Sequence, residues 1–169
     1  MKKAVVFLLF FVLTVFSTAA QQNAQSYFDR GEMFRSRGDY ITAIEEYTQA
    51  IRLDPSFAQA YLRRGGAYGL KGDYDRAIAD CTQAIRLGPN NANAYLGRGG
   101  AYYEKGDYDR AIADFTQAIR LDPNDAGAYL CRGDSYNAKG DYDRAIADFT
   151  QAIRLDPDNA WAYANRGLI

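Results

Sequence analysis

A repeat of 34 residues constrains this chain more than any other feature of its sequence. A tyrosine returns every 34 positions, at Tyr27, Tyr61, Tyr95, Tyr129 and Tyr163. The run GDYDRAIAD occurs unchanged at 72–80, 106–114 and 140–148, and TQAIRL occurs four times in the same register. Self-similarity at this period is typical of solenoids and propellers, in which one small unit stacks on the next.

The spacing of residues inside one repeat indicates helices. In the copy at 92–125, the spacing i, i+4, i+7 occurs twice, at Tyr95, Gly99 and Tyr102 and again at Ala111, Phe115 and Ala118. This spacing places residues on one face of a helix, and no alternating strand pattern is present. Each repeat is therefore predicted to be a pair of helices.

Turn residues predict where these helices begin and end. Gly106 can adopt the positive φ that ends a first helix, and Asp107 can cap the second. Pro123 stops the second helix, because a proline biases the residue before it away from helical geometry. Asn124 or Asp125 is then predicted to cap the first helix of the next repeat.

This unit resembles the tetratricopeptide repeat. The residues that match the family's signature positions, in order, are Tyr95, Gly99, Tyr102, Ala111, Phe115, Ala118 and Pro123. The resemblance covers 24–169, as four full copies (24–57, 58–91, 92–125 and 126–159) and a partial fifth at 160–169. It implies an all-α fold, a right-handed α-solenoid of antiparallel helix pairs. Small residues would let the helices approach, and the tyrosines would fill the core between them.

One position departs from the family in every copy, because an arginine replaces the usual leucine. The arginines are Arg30, Arg64, Arg98, Arg132 and Arg166. Carboxylates recur on the second helices at Glu46, Asp80, Asp114 and Asp148. We predict that these residues form a ladder of partly buried arginine–carboxylate pairs along the stack. The alternative is an exposed face of ordinary charges, in which each pair contributes about 0.2–1 kcal/mol.

The N-terminus has the pattern of a secretory signal peptide of bacterial type. Lys2 and Lys3 precede an apolar run at 4–16, and small residues follow at 17–20. The apolar run is too short for a membrane span, which needs about 20 residues. We predict cleavage after Ala20, with Ala19 as the second choice. The signal peptide would be 1–20, and the mature chain would be secreted or periplasmic, without a membrane span.

Composition argues against catalysis, metal binding and nucleic-acid binding. The chain has no histidine, so the usual base for a nucleophile and the imidazole metal ligand are both missing. The acidic run around Asp73 lacks the glycine and glutamate of a calcium loop. Without the two leader lysines, the chain carries 18 basic and 21 acidic side chains, which leaves no basic footprint for nucleic acid. No enzyme activity, cofactor or metal is expected.

The two cysteines are not expected to form a bond with each other. Cys81 replaces the aromatic residue of its repeat, and Cys131 lies on a first helix two repeats away. Because each repeat contacts only its neighbours, the two thiols should not meet. Cys131, if exposed, could link two chains in an oxidising compartment.

In the family that this chain resembles, partners bind on the concave surface formed by the first helices. The resemblance places the following residues in this groove: Gln59, Leu62, Arg63, Gly66, Leu70, Asn93, Leu96, Gly100, Tyr103, Glu104, Leu130, Asp134 and Asn137. Gly97 and Cys131 lie on the same face. The competing interpretation of the leucines is that they only pack against one another.

A subset of the family grips the terminal carboxylate of its partner with lysine, asparagine and arginine. Counted from the first repeat, those positions hold Phe28, Glu32, Arg63, Asn93 and Gly97; counted from the second, they hold Leu62, Gly66, Gly97, Gly127 and Cys131. Neither set is a carboxylate clamp, so binding of chaperone tails is not predicted.

The predicted function is therefore that of a non-enzymatic adaptor that binds another protein through its groove. The alternative is a structural protein that associates with itself, as a homodimer, through its C-terminal end. Tyr163, Leu168 and Ile169 stand there where a further helix would pack, and Trp161 lies at the end of the groove.

Overall fold

The computed structural model describes residues 21–168. The predicted signal peptide, its cleavage site after Ala20, and Ile169 lie outside this range. The helices are α1 (21–36), α2 (Tyr40–Leu53), α3 (Ala58–Leu70), α4 (Tyr74–Leu87), α5 (Ala92–Glu104), α6 (Tyr108–Leu121), α7 (Ala126–Ala138), α8 (Tyr142–Leu155) and α9 (Ala160–Gly167). Between residues 21 and 168 there is no β-strand.

The helices pack in chain order, so that each one contacts the helix before it and the helix after it. The first helices of successive pairs also touch directly, α3 with α5 and α5 with α7. Successive pairs thus form one continuous stack with a surface made of first helices. The prediction of an all-α helical-repeat solenoid is confirmed.

The turns follow the chemistry that the sequence predicts. Gly38, Gly72, Gly106 and Gly140 have φ between 76° and 78°, a conformation that favours glycine and ends each first helix. An aspartate follows each glycine, and Asp107, for example, accepts a hydrogen bond from the backbone N–H of Arg110 at 3.2 Å. Asp125 caps α7, whereas Phe57 precedes α3 without a side-chain cap.

The buried core differs from the prediction in its use of tyrosine. Alanines, with Tyr47, Phe115 and Phe149 as the largest side chains, make up most of the fully buried core. Tyr95 and Tyr102 are only half-buried. Tyr95 packs against the buried cluster of Ala118, Ile119 and Ala128, so it lies at the edge of the core rather than inside it. The outer faces of both tyrosines carry arginines: the guanidinium carbon of Arg98 lies 5.8 Å from the ring centre of Tyr95, and cation–π attraction favours this arrangement.

Glycine allows each first helix to lie close to its second helix. A Cβ atom at Gly99 would lie 2.8 Å from Cε1 of Phe115, and one at Gly133 would lie 2.7 Å from Cε1 of Phe149. Real Cβ atoms do not approach this closely, and the phenylalanine rings are buried. The signature glycine therefore makes room for the aromatic ring of the same repeat.

Candidate functional site

Two regions of the molecule bear on function, an arginine ladder inside the stack and a groove on the first helices. In the ladder, Arg64 Nε donates to Asp80 Oδ2 at 2.7 Å, and Arg64 Nη2 donates to Asp80 Oδ1 at 2.8 Å. Arg98 makes the same two-pronged contact with Asp114, and Arg132 makes it with Asp148. The side chains of these arginines are 16–20% exposed and those of the aspartates 8–9%. The middle of the ladder is therefore largely buried.

Each of these arginines also reaches the preceding repeat. Arg98 Nη1 donates to Thr82 Oγ1 at 3.2 Å, and Arg64 and Arg132 make the equivalent bonds to Thr48 and Thr116. One guanidinium thus joins a carboxylate of its own repeat to a hydroxyl of the repeat before. Sequence reasoning missed the threonines, although each lies 16 positions before its arginine, as each aspartate lies 16 positions after it.

The two ends of the ladder differ from its middle. Arg30 pairs with Glu46, with 2.7 Å between Nη2 and Oε2, but its side chain is 45% exposed. Arg166 has no carboxylate partner among residues 21–168, and its guanidinium carbon lies 5.6 Å from the ring centre of Tyr163. Arg166 is therefore in register with the ladder without completing a pair.

The groove contains a cavity of about 420 Å³ between α3, α5 and α7. Glycines form much of its lining, together with a few larger apolar side chains. The lining residues are Gly65, Gly66, Gly69, Leu70, Tyr74, Ala77, Leu96, Gly97, Gly100, Ala101, Tyr103, Glu104, Phe115, Cys131 and Asp134. The cavity spans three successive repeats, as expected for a site on the first helices.

The structure brings together about half of the residues that were assigned to the groove. Those that line the cavity are Gly66, Leu70, Leu96, Gly100, Tyr103, Glu104 and Asp134. Those that do not are Gln59, Leu62, Arg63, Asn93, Leu130 and Asn137. Leu62 and Leu130 are half-buried, and Arg63 lies against Glu32 in an ion pair with 3.5 Å between Nε and Oε1. Of the leucines assigned to the groove, Leu62 and Leu130 thus belong to helix packing, and Leu70 and Leu96 line the cavity.

Sequence reasoning missed the contribution of the second helices to the groove. Tyr74 and Ala77 of α4 and Phe115 of α6 line the cavity. They are reached because the first helices carry glycine in front of them. The signal was present in the sequence as a set of glycines on the same helical face, but the depth of the opening depends on helix positions that only the structure gives.

Two of the glycines leave empty space above the helix. A Cβ atom at Gly66 or at Gly100 would have no neighbouring atom within 4 Å. By contrast, a Cβ atom at Gly97 would lie 3.2 Å from Sγ of Cys81. Gly66 and Gly100 therefore hold open the part of the cavity that a ligand could fill.

The charges in the cavity are all of one sign. Glu104 and Asp134 are its charged residues, and no lysine or arginine stands among the described residues that line it. Burial raises the pKa of Asp134, although the side chain of Trp161 acts in the opposite direction. Burial, followed by the charge of Asp134, also raises the pKa of Tyr103. The fourth-repeat end of the cavity is thus negative and incompletely solvated.

The same position of the first repeat is neutralised from within the chain. Glu32 precedes Gly66, Gly100 and Asp134 in the 34-residue register. It accepts hydrogen bonds from the Tyr47 hydroxyl and from Arg35, whose Nη2 lies 3.0 Å from Oε2. Burial opposes ionisation of Glu32, but these bonds and the charge of Arg63 lower its pKa.

The two cysteines are both free. Cys81 is buried in the second repeat, and burial raises the pKa of its thiol to about 12. Cys131 is exposed at the cavity, where the surrounding protein and Asp134 raise the pKa of its thiol to about 11. Both thiols are therefore protonated at neutral pH, which makes them weak nucleophiles.

The C-terminal end carries large exposed apolar side chains. Trp161, Tyr163 and Leu168 on or beside α9 are 62%, 47% and 84% exposed.

Within residues 21–168, no helix is long and apolar enough to cross a membrane, and no group of three metal-ligating side chains occurs.

The stacked helix pairs, the glycine-ended turns and the surface of first helices define a helical-repeat solenoid. Comparison with known families agrees: the model described as "Tetratricopeptide repeat" matches residues 71–126, 96–160 and 130–169, and the model described as "TPR repeat" matches 31–72. The chain belongs to the tetratricopeptide repeat family, whose fold serves as a protein-interaction scaffold. Among curated proteins, none matches the chain.

Several solved structures have the same fold. A crystal structure of MamA protein is 29% identical, with a TM-score of 0.81 over 87% of this chain and 80% of that chain. YrrB, described as a TPR protein with an unusual peptide-binding site, is 27% identical, with a TM-score of 0.75 over 90% of this chain and 80% of that chain. The first TPR of Spaghetti (RPAP3), bound to the HSP90 peptide SRMEEVD, is 26% identical, with a TM-score of 0.70 over 71% of this chain and 95% of that chain.

Proposed function

We propose that this protein is a non-enzymatic scaffold that binds a peptide or a helix of a partner protein in the groove. The observation that carries the proposal is the cavity of about 420 Å³ on the first helices of three successive repeats. Its volume lies within the range of about 300–1,000 Å³ that is typical of ligand sites. A few side chains of a partner would fit it.

Two of the similar structures support a peptide as the ligand. YrrB is described as having a peptide-binding site, and the Spaghetti domain is bound to an HSP90 peptide. The last four residues of that peptide are two glutamates, a valine and an aspartate. The present cavity holds Gly66, Gly97 and Cys131 where a carboxylate clamp needs donors, so we propose a different class of peptide.

We also propose that the protein acts outside the cytoplasm, as a secreted or periplasmic protein. The support is the sequence of 1–20, with its basic start, short apolar run and small residues. Mass spectrometry of the exported protein tests this proposal. A mature chain that begins at Gln21 is expected, whereas a chain that still begins at Met1 would contradict export.

Site-specific photo-crosslinking in the cells that make the protein tests the binding proposal. A photoreactive residue replaces Leu96, which lines the cavity, and in a matched variant it replaces Ala113, which is exposed on α6. We expect discrete protein adducts from the groove position and none of the same mass from α6. Equal adducts from both positions, or adducts from α6 alone, would show that partners do not use the groove.

Self-association through the C-terminal end remains the second candidate function. The exposure of Trp161, Tyr163 and Leu168 favours it, because a contiguous apolar surface is typical of an interface. Light scattering at several concentrations tests it on the wild type and on Leu168→Glu. A dimer that the substitution dissolves would support self-association, and a monomer throughout would end this candidate.

A further inference from the structure

We propose that the groove selects a partner segment in which apolar side chains stand next to a lysine or an arginine. The apolar side chains would fill the space above Gly66 and Gly100, and the cation would pair with Asp134 and Glu104. The inference rests on the proposed function, because it specifies the chemistry of the peptide in the same groove.

The shape of the cavity carries the apolar part of the argument. Gly66 and Gly100 leave open space, and Leu70, Leu96 and Tyr103 stand around it. Leu70 is 63% exposed, so its apolar surface is available to a partner. Removing apolar surface from water stabilises a complex, and this gain opposes the losses of freedom on binding. A segment with aliphatic or aromatic side chains therefore suits this part of the groove.

The sign of the charge carries the second part. Both charged residues that line the cavity are acidic. An acidic peptide would bring like charges together beside the exposed Glu104 and the half-buried Asp134, which disfavours binding. Among residues 21–168, no lysine or arginine lines the cavity beside these two carboxylates. A lysine or arginine of the partner would supply the missing positive charge.

The cations of the neighbouring segments have other partners, and Arg132, two positions before Asp134, pairs with Asp148. Lys105, which follows Glu104, pairs with Asp75 of the preceding repeat. Lys139, which follows α7, pairs with Asp109 in the same way, and Arg63 pairs with Glu32 at the other end of the groove. Glu104 itself accepts a hydrogen bond from the Tyr74 hydroxyl at 3.5 Å, which leaves its charge in place. These cations are thus paired with other carboxylates of the chain, and Asp134 can pair with a lysine or arginine of the partner.

Selection from a random-peptide library tests the proposal. The chain from residue 21, which contains all the described helices, is used as bait in three forms: wild type, Asp134→Lys and Asp158→Lys. Asp158 is exposed in the turn before α9, so its substitution changes the net charge equally without entering the cavity. We expect the wild type and Asp158→Lys to enrich apolar peptides with lysine or arginine, and Asp134→Lys to lose that enrichment.

The outcomes separate the two proposals. If no peptide is enriched by the wild type and no photo-crosslink forms at Leu96, the proposed function itself fails. If peptides are enriched and bind in the groove but carry no excess of basic residues, the function stands and the present inference is wrong. Acidic peptides selected by the wild type would also overturn it.

A binding measurement then gives the size of the effect. Fluorescence anisotropy with one labelled peptide from the selection compares the wild type with Asp134→Asn, which keeps the shape and removes the charge. We expect the dissociation constant to rise by about threefold to tenfold, with a weaker dependence on salt in the variant. An unchanged dissociation constant and an unchanged salt dependence would contradict a role for Asp134.

Discussion

The arginine ladder and the groove differ in how closely the repeats of this chain resemble one another. In the ladder, Arg64, Arg98 and Arg132 make the same contacts in three successive repeats, each bonded to an aspartate of its own repeat and a threonine of the one before. In the groove, a single position of the repeat holds Glu32, Gly66, Gly100 and Asp134 in turn. The arginine position of the ladder is thus copied from repeat to repeat, whereas this position of the groove changes.

Two adjacent glycines show the difference at the scale of one residue. A Cβ atom at Gly99 would collide with the buried ring of Phe115, whereas a Cβ atom at Gly100 would meet nothing within 4 Å. The first glycine serves packing within the repeat. The second has no packing role and costs helix stability, so its consequence is the open space in the groove. The two adjacent positions thus lie on different sides of the helix, Gly99 against the core and Gly100 at the open space of the cavity.

The largest expected effect comes from breaking the ladder at its buried middle. Arg98→Ala removes the partner of Asp114, whose side chain is only 8% exposed. An unpaired buried carboxylate should destabilise the fold by about 3 kcal/mol. Denaturant titration of the variant and the wild type measures the change in the free energy of unfolding.

The control for this variant is Arg120→Ala on α6, where the arginine is exposed and lies in the last turn of the helix. It should change stability by less than about 1 kcal/mol. If Arg98→Ala destabilises no more than Arg120→Ala does, the ladder does not contribute to the free energy of unfolding beyond an ordinary surface charge.

Gly99→Ala should have the next largest effect. The new methyl group would lie 2.8 Å from Cε1 of Phe115, and the buried ring has little room to move. Overpacking costs about 1–3 kcal/mol, and the better helix propensity of alanine offsets about 1 kcal/mol of it, so we expect a net loss of up to about 2 kcal/mol. Thermal unfolding measures it, and a variant as stable as the wild type would show that the core of the repeat can yield.

Gly100→Ala should change stability in the other direction. Alanine meets no neighbour at this position, and it is favoured over glycine inside a helix by about 0.5–1 kcal/mol. The same unfolding experiment, run beside Gly99→Ala, should show a higher melting temperature. A lower one would mean that Gly100 has a packing role after all.

Arg30→Ala should have the smallest effect. Arg30 forms the first pair of the ladder with Glu46, but its side chain is 45% exposed and water can replace it. The expected loss is about 0.2–1 kcal/mol, well below that of Arg98→Ala. Equal losses at the two positions would remove the distinction between the end and the middle of the ladder.

Much of the fold could be predicted because the same turn and capping residues recur in each repeat. The glycine ends, the aspartate caps and the helix pairs follow from residues such as Gly106 and Asp107, whose chemistry is local. The solenoid follows from the period.

Other features depend on distances between helices that no single segment determines. The third donor of Arg98 finds Thr82 only because the repeats stack at a particular offset. Tyr95 and Tyr102 are half-buried and have arginines over their rings, which an apolar pattern does not reveal. The depth of the groove depends likewise on α4 and α6, which place Tyr74 and Phe115 behind the glycines.

The most direct test of this account combines affinity and stability in one variant, Gly100→Leu, with Ala113→Leu on the exposed side of α6 as the control. The leucine side chain should occupy the cavity without disturbing the core, because its Cβ atom has no neighbour within 4 Å. We predict that a library-selected peptide binds Gly100→Leu at least about tenfold more weakly, a loss of about 1.4 kcal/mol, whereas the melting temperature is unchanged or higher. Wild-type affinity in Gly100→Leu would contradict the assignment of binding to the groove.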